Sequence, residues 1–283
     1  MGRRPVEYTE GSGINFSDLE SAKRDTEIPH ALTGGKVVEI VSNNFDELPV
    51  KLRNHLVESN VVLTLAGLKP QSEFFIDIDT EEESKILANQ INQLNAKFNE
   101  TNPEISFLLV GDPFVSGSHK DPKPLTQMIS VKNLIGAERI SKISKIPGMI
   151  PFEASSGWQG AEIWWHKVVA NVEKLQRDNQ LPQGEHVSQN VLSGWMKGYP
   201  DQAILDFTDF DNTGRKKKLQ DSNIPCVGIY REAQPNYDFY PEHANDPQIR
   251  ENIEQAGRIL KEFYESDWHR KIASEPGLLE KNY

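Results

Sequence analysis

Leu108-Leu109-Val110-Gly111-Asp112-Pro113-Phe114-Val115-Ser116-Gly117-Ser118-His119-Lys120-Asp121 is the stretch that decides how this chain reads. The largely apolar run from Ile105 to Val110 predicts a buried strand, and it stops abruptly at Gly-Asp-Pro. At the carboxyl edge of a parallel sheet such a stop leaves backbone amides and a carboxylate where open α/β sheets bind ligands. Gly111 lets a ligand approach the backbone closely, and Pro113 holds Asp112 extended, its carboxylate placed to accept hydrogen bonds from loop amides or ligand hydroxyls. Gly, Asp and Pro are also ordinary turn residues, so a plain strand-to-loop turn accounts for the same letters.

Working upstream, Val37 to Val41 is short and β-branched and predicts a strand that ends at Ser42-Asn43-Asn44. Asn44 then caps a helix carrying Leu48, Leu52 and Leu56 to about Ser59, with Pro49 in its first turn. A second strand is predicted over residues 60–66 and a third over Phe74–Ile78, after a turn at Gly67 and Pro70. The next helix has the clearest signal: a capping box at Thr80 and Glu83, then Leu87, Ile91, Leu94 and Phe98 along one face. Strands alternating with helices imply βαβ units, so residues 36–156 are expected to form an α/β domain, a mainly parallel sheet with flanking helices. Residues 1–35 read as a flexible N-terminal arm, with a capping box at Ser17 to Glu20 marking one short helix.

Downstream, residues 157–283 are expected to be a mainly helical C-terminal region with a short strand. Ala161, Trp164 or Trp165, Val168, Val172 and Leu175 make a helical stripe, and a further helix is expected over residues 188–197. Asp209 to Lys218 reads as a polar, basic loop and Ile224 to Tyr230 as a strand. Asp246-Pro247 opens a helix whose core face is Ile249, Ile253, Ala256, Leu260 and Phe263. Pro, Gly and Ser cluster between Pro147 and Gly157, which suggests a boundary there.

Thirty-one Lys and Arg against 42 Asp and Glu give 31 − 42 = −11 over 283 residues. That balance argues against a protein that neutralises nucleic-acid phosphates or an anionic membrane, and favours a small molecule or another protein as partner. Composition is silent on oligomeric state. Cys226 stands alone and no Cys/His cluster has ligand spacing, so no metal and a reducing compartment are expected. Met1-Gly2-Arg3-Arg4-Pro5 is basic but is not followed by the apolar core of a signal peptide, and no apolar run approaches the ~20 residues of a bilayer span. A cytoplasmic location is the expectation.

The run Gly111 to Val115, with His119 and Asp121 after it, resembles the GDP loop of the tetrapyrrole-methylase class of S-adenosylmethionine methyltransferases, with the His and Asp placement closest to diphthine synthases. The resemblance extends over about residues 36–156, through Val37 to Val41, Ser59-Asn60-Val61-Val62, the helix at 81–98 and Ile146-Pro147-Gly148 before Ala154-Ser155-Ser156. The chain departs from the class in having Ser42-Asn43-Asn44-Phe45-Asp46 where a glycine-rich loop ends the first strand. What the resemblance implies is S-adenosylmethionine held by Gly111, Asp112, Pro113, Phe114, Val115, His119, Pro147, Gly148 and Ser155. Methyl transfer to an acceptor would follow, a reaction that needs in-line positioning more than a catalytic dyad.

Three further motifs carry competing readings. Asp209-Phe210-Asp211-Asn212-Thr213 matches the DxDxT phrase of aspartate-nucleophile phosphatases and the start of a calcium loop, but its place in the chain, the basic residues after it and Gln220 at the twelfth position favour a solvated loop. Asp77-Ile78-Asp79 sets carboxylates at a strand end, where they serve a metal or simply the dipole of the next helix. Gly194 to Asp201 gathers Trp195, Tyr199, two glycines and a proline. A non-enzymatic partner-binding or regulatory protein would use this Trp195–Asp201 loop and the aromatic helix at 161–175 as contact surfaces.

Overall fold

The computed structural model describes residues 31–46, 48, 50–102, 104–115, 125–136, 138, 194–195, 197–212, 218–222, 224–225, 232–233 and 237–279. Three helices open this part of the chain: α1 (Gly34–Phe45), α2 (Val50–Leu56) and α3 (Ser59–Leu65). The first begins where the Thr33 hydroxyl accepts the amide of Lys36 at 3.3 Å. It buries Gly34, Val37, Ile40, Val41, Asn44 and Phe45, a stripe with helical spacing. The strand expected at 37–41 is therefore the middle of a helix, and the β-branched content that suggested a strand is outweighed by a period that only becomes visible over twelve residues. Asn44 lies inside that helix, donating from Nδ2 to the Ile40 carbonyl at 2.9 Å instead of capping a new one.

The strand expected at 60–66 is also a helix, α3. Val61 to Leu65 are all buried, and a short segment buried on every side has no amphipathic period by which helix and strand can be told apart. Gly67, at φ 83°, ends α3 in a Schellman turn: its amide donates to Thr64 and the amide of Leu68 to Leu63.

Next come β1 (Gln71–Ile78), α4 (Glu81–Thr101), β2 (Ser106–Val115) and β3 (Leu125–Lys132). The strand order is β1-β3-β2 and both pairings are antiparallel. This corrects the expected mainly parallel sheet. β1 and β2 do run the same way with α4 between them in sequence, as a βαβ unit requires, but β3 folds back into the gap and pairs with both. β2 is left at an edge, where the side chain of Asn95 on α4 supplies both missing partners of Phe107. It accepts from the Phe107 amide at 2.7 Å and donates to its carbonyl at 2.6 Å. Leu87, Ile91, Leu94 and Phe98 face the sheet as expected, Phe98 meeting Phe107 edge to face at 5.1 Å. At the start of α4 the Thr80 hydroxyl accepts the Glu83 amide, and Glu83 reaches back one residue further than a standard capping box, to the amide of Asp79.

The C-terminal part contributes α5 (Asp201–Asn212), β4 (Gln220–Asp221), β5 (Ile224–Pro225), β6 (Glu232–Ala233) and β7 (Asp238–Phe239). A 3-10 turn at Pro241–His243 follows, then α6 (Pro247–Tyr264) and α7 (Asp267–Ser274). β4 pairs with β7, and β5 with β6, each antiparallel. α6 starts as the sequence indicates, with Asp246 accepting the amides of Gln248 and Ile249 and Pro247 in its first turn. Ala256, Ile259, Leu260, Phe263 and Tyr264 of α6 enter the same core as α1, α3 and the sheet, and the Tyr264 hydroxyl donates to the Val57 carbonyl at 2.9 Å. A smaller core joins Ala203, Tyr237, Phe239 and Ile249. Of the arm expected over residues 1–35, Gly34 and Gly35 instead open α1 and residues 1–30 lie outside the described residues, as do the boundary at Pro147–Gly157, the aromatic helix at 161–175 and the rest of the strand at 226–230.

α1 and α6 touch at Gly34. A Cβ built there would lie 2.2 Å from the Ile259 carbonyl oxygen, 2.6 Å from Glu262 Cβ and 2.7 Å from the Phe263 nitrogen, whereas one on Gly35 meets nothing nearer than 4.0 Å. Gly34→Ala is therefore expected to destabilise the fold by about 1–3 kcal/mol through overpacking. Gly35→Ala, at an exposed helical position, should stabilise it by roughly 0.4–1 kcal/mol. Urea denaturation of the two variants checks this: equal shifts of midpoint would mean that the helices do not meet at Gly34.

Candidate functional site

The residues singled out by sequence are dispersed. Gly111, Asp112, Pro113, Phe114 and Val115 form the second half of β2, where the pairing with β3 shifts register between Val110 and Phe114. They are an extended antiparallel edge, not a loop at the end of a parallel strand. Of the nine residues that the resemblance assigns to S-adenosylmethionine, these five are described, and their backbone is strand. His119, Pro147, Gly148 and Ser155 lie outside the described residues. The loop expected over Asp209 to Lys218 is corrected at its start: the backbone of Asp209 to Asn212 is the end of α5, a helix where a phosphatase or calcium loop needs extended or looped chain, and residues 213–217 lie outside the described residues. Asp77 accepts from the Thr126 hydroxyl at 3.1 Å, and Glu83 holds the Asp79 amide and the Lys51 ammonium, so this strand end is engaged in starting α4.

The segment flagged at Gly194 to Asp201 does come against chemistry, by turning inward. Gly194 and Trp195 are helical, and Gly198, at φ 75°, closes that helix in a Schellman turn: its amide donates to Trp195, and that of Tyr199 to Gly194. Trp195 is 2 % exposed. Gly198 sits so close to Pro70 that a Cβ would lie 2.4 Å from its Cδ, which seats the segment on the Leu68–Pro70 turn.

Beneath it is Lys69, only 4 % exposed. Its Nζ donates to Asn60 Oδ1 at 2.9 Å and lies 5.2 Å from the centre of the Tyr199 ring. Lys197, from the same segment, pairs with Glu73 of β1 at 3.4 Å. Burial, reinforced by the Lys197 charge and only partly opposed by Glu73, lowers the Lys69 amine to about 7. A desolvated lysine beside a second cation is a nucleophilic amine near neutral pH. Nothing in the local sequence marks it, since its burial comes from a segment more than a hundred residues away.

A second cluster joins α5 to the turn before α6. His243 Nδ1 lies 2.8 and 2.7 Å from the two carboxylate oxygens of Asp206 and donates to them. Asp206 is 1 % exposed and also accepts from the Tyr240 amide at 2.8 Å and from Gln202 Nε2 at 2.8 Å. These contacts lock α5 to the 3-10 turn. The His243 side chain is 28 % exposed, so with Nδ1 turned inward the ring's Nε2 is the proton acceptor left for a substrate. Gln202 and Asp206, four apart on one helix face, were the available signal for this cluster.

Two other features are weaker. Asp221 and Asp238 face each other across β4 and β7, and burial together with the Asp221 carboxylate raises Asp238 to about 6. A groove of about 140 Å³ between α2, β1 and α4, rimmed by Lys51, Glu83 and Ile86, is smaller than the ~300 Å³ at which small-molecule sites begin. Among the described residues no three His, Cys, Asp or Glu side chains converge as a metal site, and no helix is long and apolar enough to cross a membrane. Comparison with family profiles, with curated proteins and with solved structures finds no match.

The amine of Lys69 ties stability to pH. Between about 7 and 10.5 the unfolded chain carries a proton on this lysine that the folded chain does not, so stability rises with pH across that window. Below 7 both states are protonated and the folded state bears the whole cost of the buried charge. Lys69→Met is expected to raise the melting temperature most at about pH 6 and to lose that advantage by about pH 10. A pH-independent difference between variant and parent would show that the amine is not desolvated. Asp238→Asn should behave the other way at its own window: the raised carboxyl costs stability as pH climbs from 3.8 through about 6, so the variant gains at neutral pH and not in acid.

Proposed function

We propose that this chain is an enzyme whose proton-transfer group is His243, positioned by Asp206, acting on a water or hydroxyl group at the surface beside the turn at Pro241–His243. The observation that carries it is the pair of contacts at 2.7 and 2.8 Å between the His243 Nδ1 and a carboxylate that is itself buried and fixed by the Tyr240 amide and Gln202. A carboxylate in that position does three things. It fixes the ring's orientation, it selects the tautomer with the proton on Nδ1, and it stabilises the imidazolium formed when Nε2 takes a proton. Such a pair needs no nucleophilic side chain of its own, because the base can activate a water or a substrate hydroxyl directly. The substrate class that follows is a small ester, phosphoester or hydroxyl compound. Of the surfaces expected to receive a protein partner, the helix at 161–175 lies outside the described residues, and in the Trp195–Asp201 loop Trp195 is buried and the Tyr199 ring packs on Tyr237 at 5.5 Å.

Long-range nitrogen NMR of the protein with His243 neutral is expected to show the Nδ1–H tautomer, the minority form of free histidine, and Asp206→Asn should release it to the Nε2–H form. In a screen of activated esters and phosphoesters, His243→Gln should cost about 10²–10⁴-fold in the turnover that the parent shows. A His243→Gln protein that melts earlier but turns over every substrate as the parent does would make the pair a strut between α5 and the turn, and the proposal would fall.

A further inference from the structure

Lys69 takes no part in that chemistry, yet it is the least ordinary side chain described. It is 4 % exposed, its Nζ is held by Asn60 Oδ1 at 2.9 Å under the Tyr199 ring, and the Lys197–Glu73 ion pair stands beside it. Among the described residues, Glu73 on β1 and Lys197 and Tyr199 on the covering segment are charged or titratable groups around it. We infer that Lys69 is a carbamylation site, a buried amine that binds carbon dioxide covalently and reversibly and presents the resulting carbamate to Lys197. Three features of the arrangement select this ligand. An amine so enclosed favours a small reagent over a bulky one. Carbon dioxide is apolar and enters a packed interior without the desolvation cost that a charged reagent would meet. The product is an anion; burial, the main reason the proton on Lys69 is disfavoured, opposes that charge as well, so the carbamate depends on the Lys197 ammonium turning from Glu73 to pair with it.

The step balances without a co-reactant. The Nζ lone pair attacks the carbon of carbon dioxide and a C–N bond forms. One C=O π pair moves onto oxygen, and the nitrogen releases one proton to solvent, leaving N-carboxylysine; nothing is oxidised or reduced. Because the reacting amine must be unprotonated, its position near 7 makes the step available at neutral pH, where an exposed lysine is almost wholly ammonium. The charge at this position then changes from partly positive to negative, and Lys197 has a reason to exchange Glu73 for the carbamate.

The test uses the full chain in buffer equilibrated with 13C-labelled carbon dioxide and bicarbonate, observed by 13C NMR and, after trapping with triethyloxonium, by peptide mass mapping. A carbamate resonance is expected that saturates with carbon dioxide, maps to Lys69 and is absent from Lys69→Met. Lys197→Met, which removes the neighbouring cation, should lower occupancy at neutral pH about tenfold for each unit by which the amine's pKa rises, and Lys197→Arg should restore it. A folded parent protein that shows no labelled adduct at Lys69 under saturating carbon dioxide overturns the inference. So does an adduct confined to the chain's α-amino group and exposed lysines, or one whose occupancy is the same in Lys197→Met.

Discussion

The side chain of Asn133 holds the sheet to the helices. It leaves the end of the central strand β3 and donates from Nδ2 to the carbonyls of Thr64 at 3.1 Å and Lys69 at 2.7 Å, while its backbone amide donates to Pro70. Its Oδ1 accepts the amide of Gly136. A helix end leaves carbonyls short of donors, and here one buried amide adds a second donor to Thr64, which also accepts from Gly67, and serves the Lys69 carbonyl in the turn beyond α3. Pro70 is the pivot of this arrangement. Gly136 approaches its carbonyl so closely that a Cβ would lie 2.6 Å away, and Gly198 packs on its ring. The backbone of Lys69 is pinned by that junction. Its side chain can therefore be held inward at a cost that a looser turn would relieve by swinging the amine into water.

Long elements with a single buried face were legible in the sequence, and short or fully enclosed ones were not. α4 and α6 announce themselves through caps and through apolar residues at three and four, and both are found where those signals put them. β1 shows the alternation of a half-buried strand, with Phe74, Ile76 and Ile78 inward and Phe75 and Asp77 outward. α1 and α3 are built from valine, isoleucine and leucine, residues that favour strands when half exposed and that helices accept when tertiary packing encloses them. Gly67 carried the missing information, because a glycine directly after an apolar run is a helix stop as well as a turn residue.

The topology was missed for a different reason. β1, α4 and β2 follow in the order of a parallel unit, and what separates the two architectures is whether a third strand fills the space between them. That strand, Leu125 to Lys132, buries Thr126, Gln127 and Ser130 along with Ile129 and Val131, so its sequence lacks the apolar character of a central strand. Gln127 is tolerated there because it is hydrogen-bonded, accepting from Ser84 of α4 at 3.0 Å. A polar central strand inverts the expectation for Gly111 to Val115: the residues that would have ended a parallel strand instead continue an antiparallel edge.

The chemistry of the molecule is non-local for the same physical reason. Asp206 meets His243 across 37 positions and Lys69 meets Tyr199 across 130, distances over which no spacing rule operates. The segment from Trp195 to Asp201 was visible as an aromatic, glycine-rich stretch, a composition that suits an exposed contact surface and a tightly seated internal cover equally well. Gly198 decides between them: its positive φ and missing Cβ are what allow the chain to lie on Pro70, and an exposed loop requires neither. The two clusters are then joined by packing, since Tyr199 lies over Lys69 and against Tyr237, whose neighbours on β7 lead to the turn bearing His243. Such contiguity fixes positions but carries no signal by itself, for coupling needs an element with two arrangements. The described contacts fix one arrangement, in which the Asp206 carboxylate is met by the Tyr240 amide, Gln202 and His243, while the Lys69 ammonium gives up more hydration than Asn60 and the Tyr199 ring return.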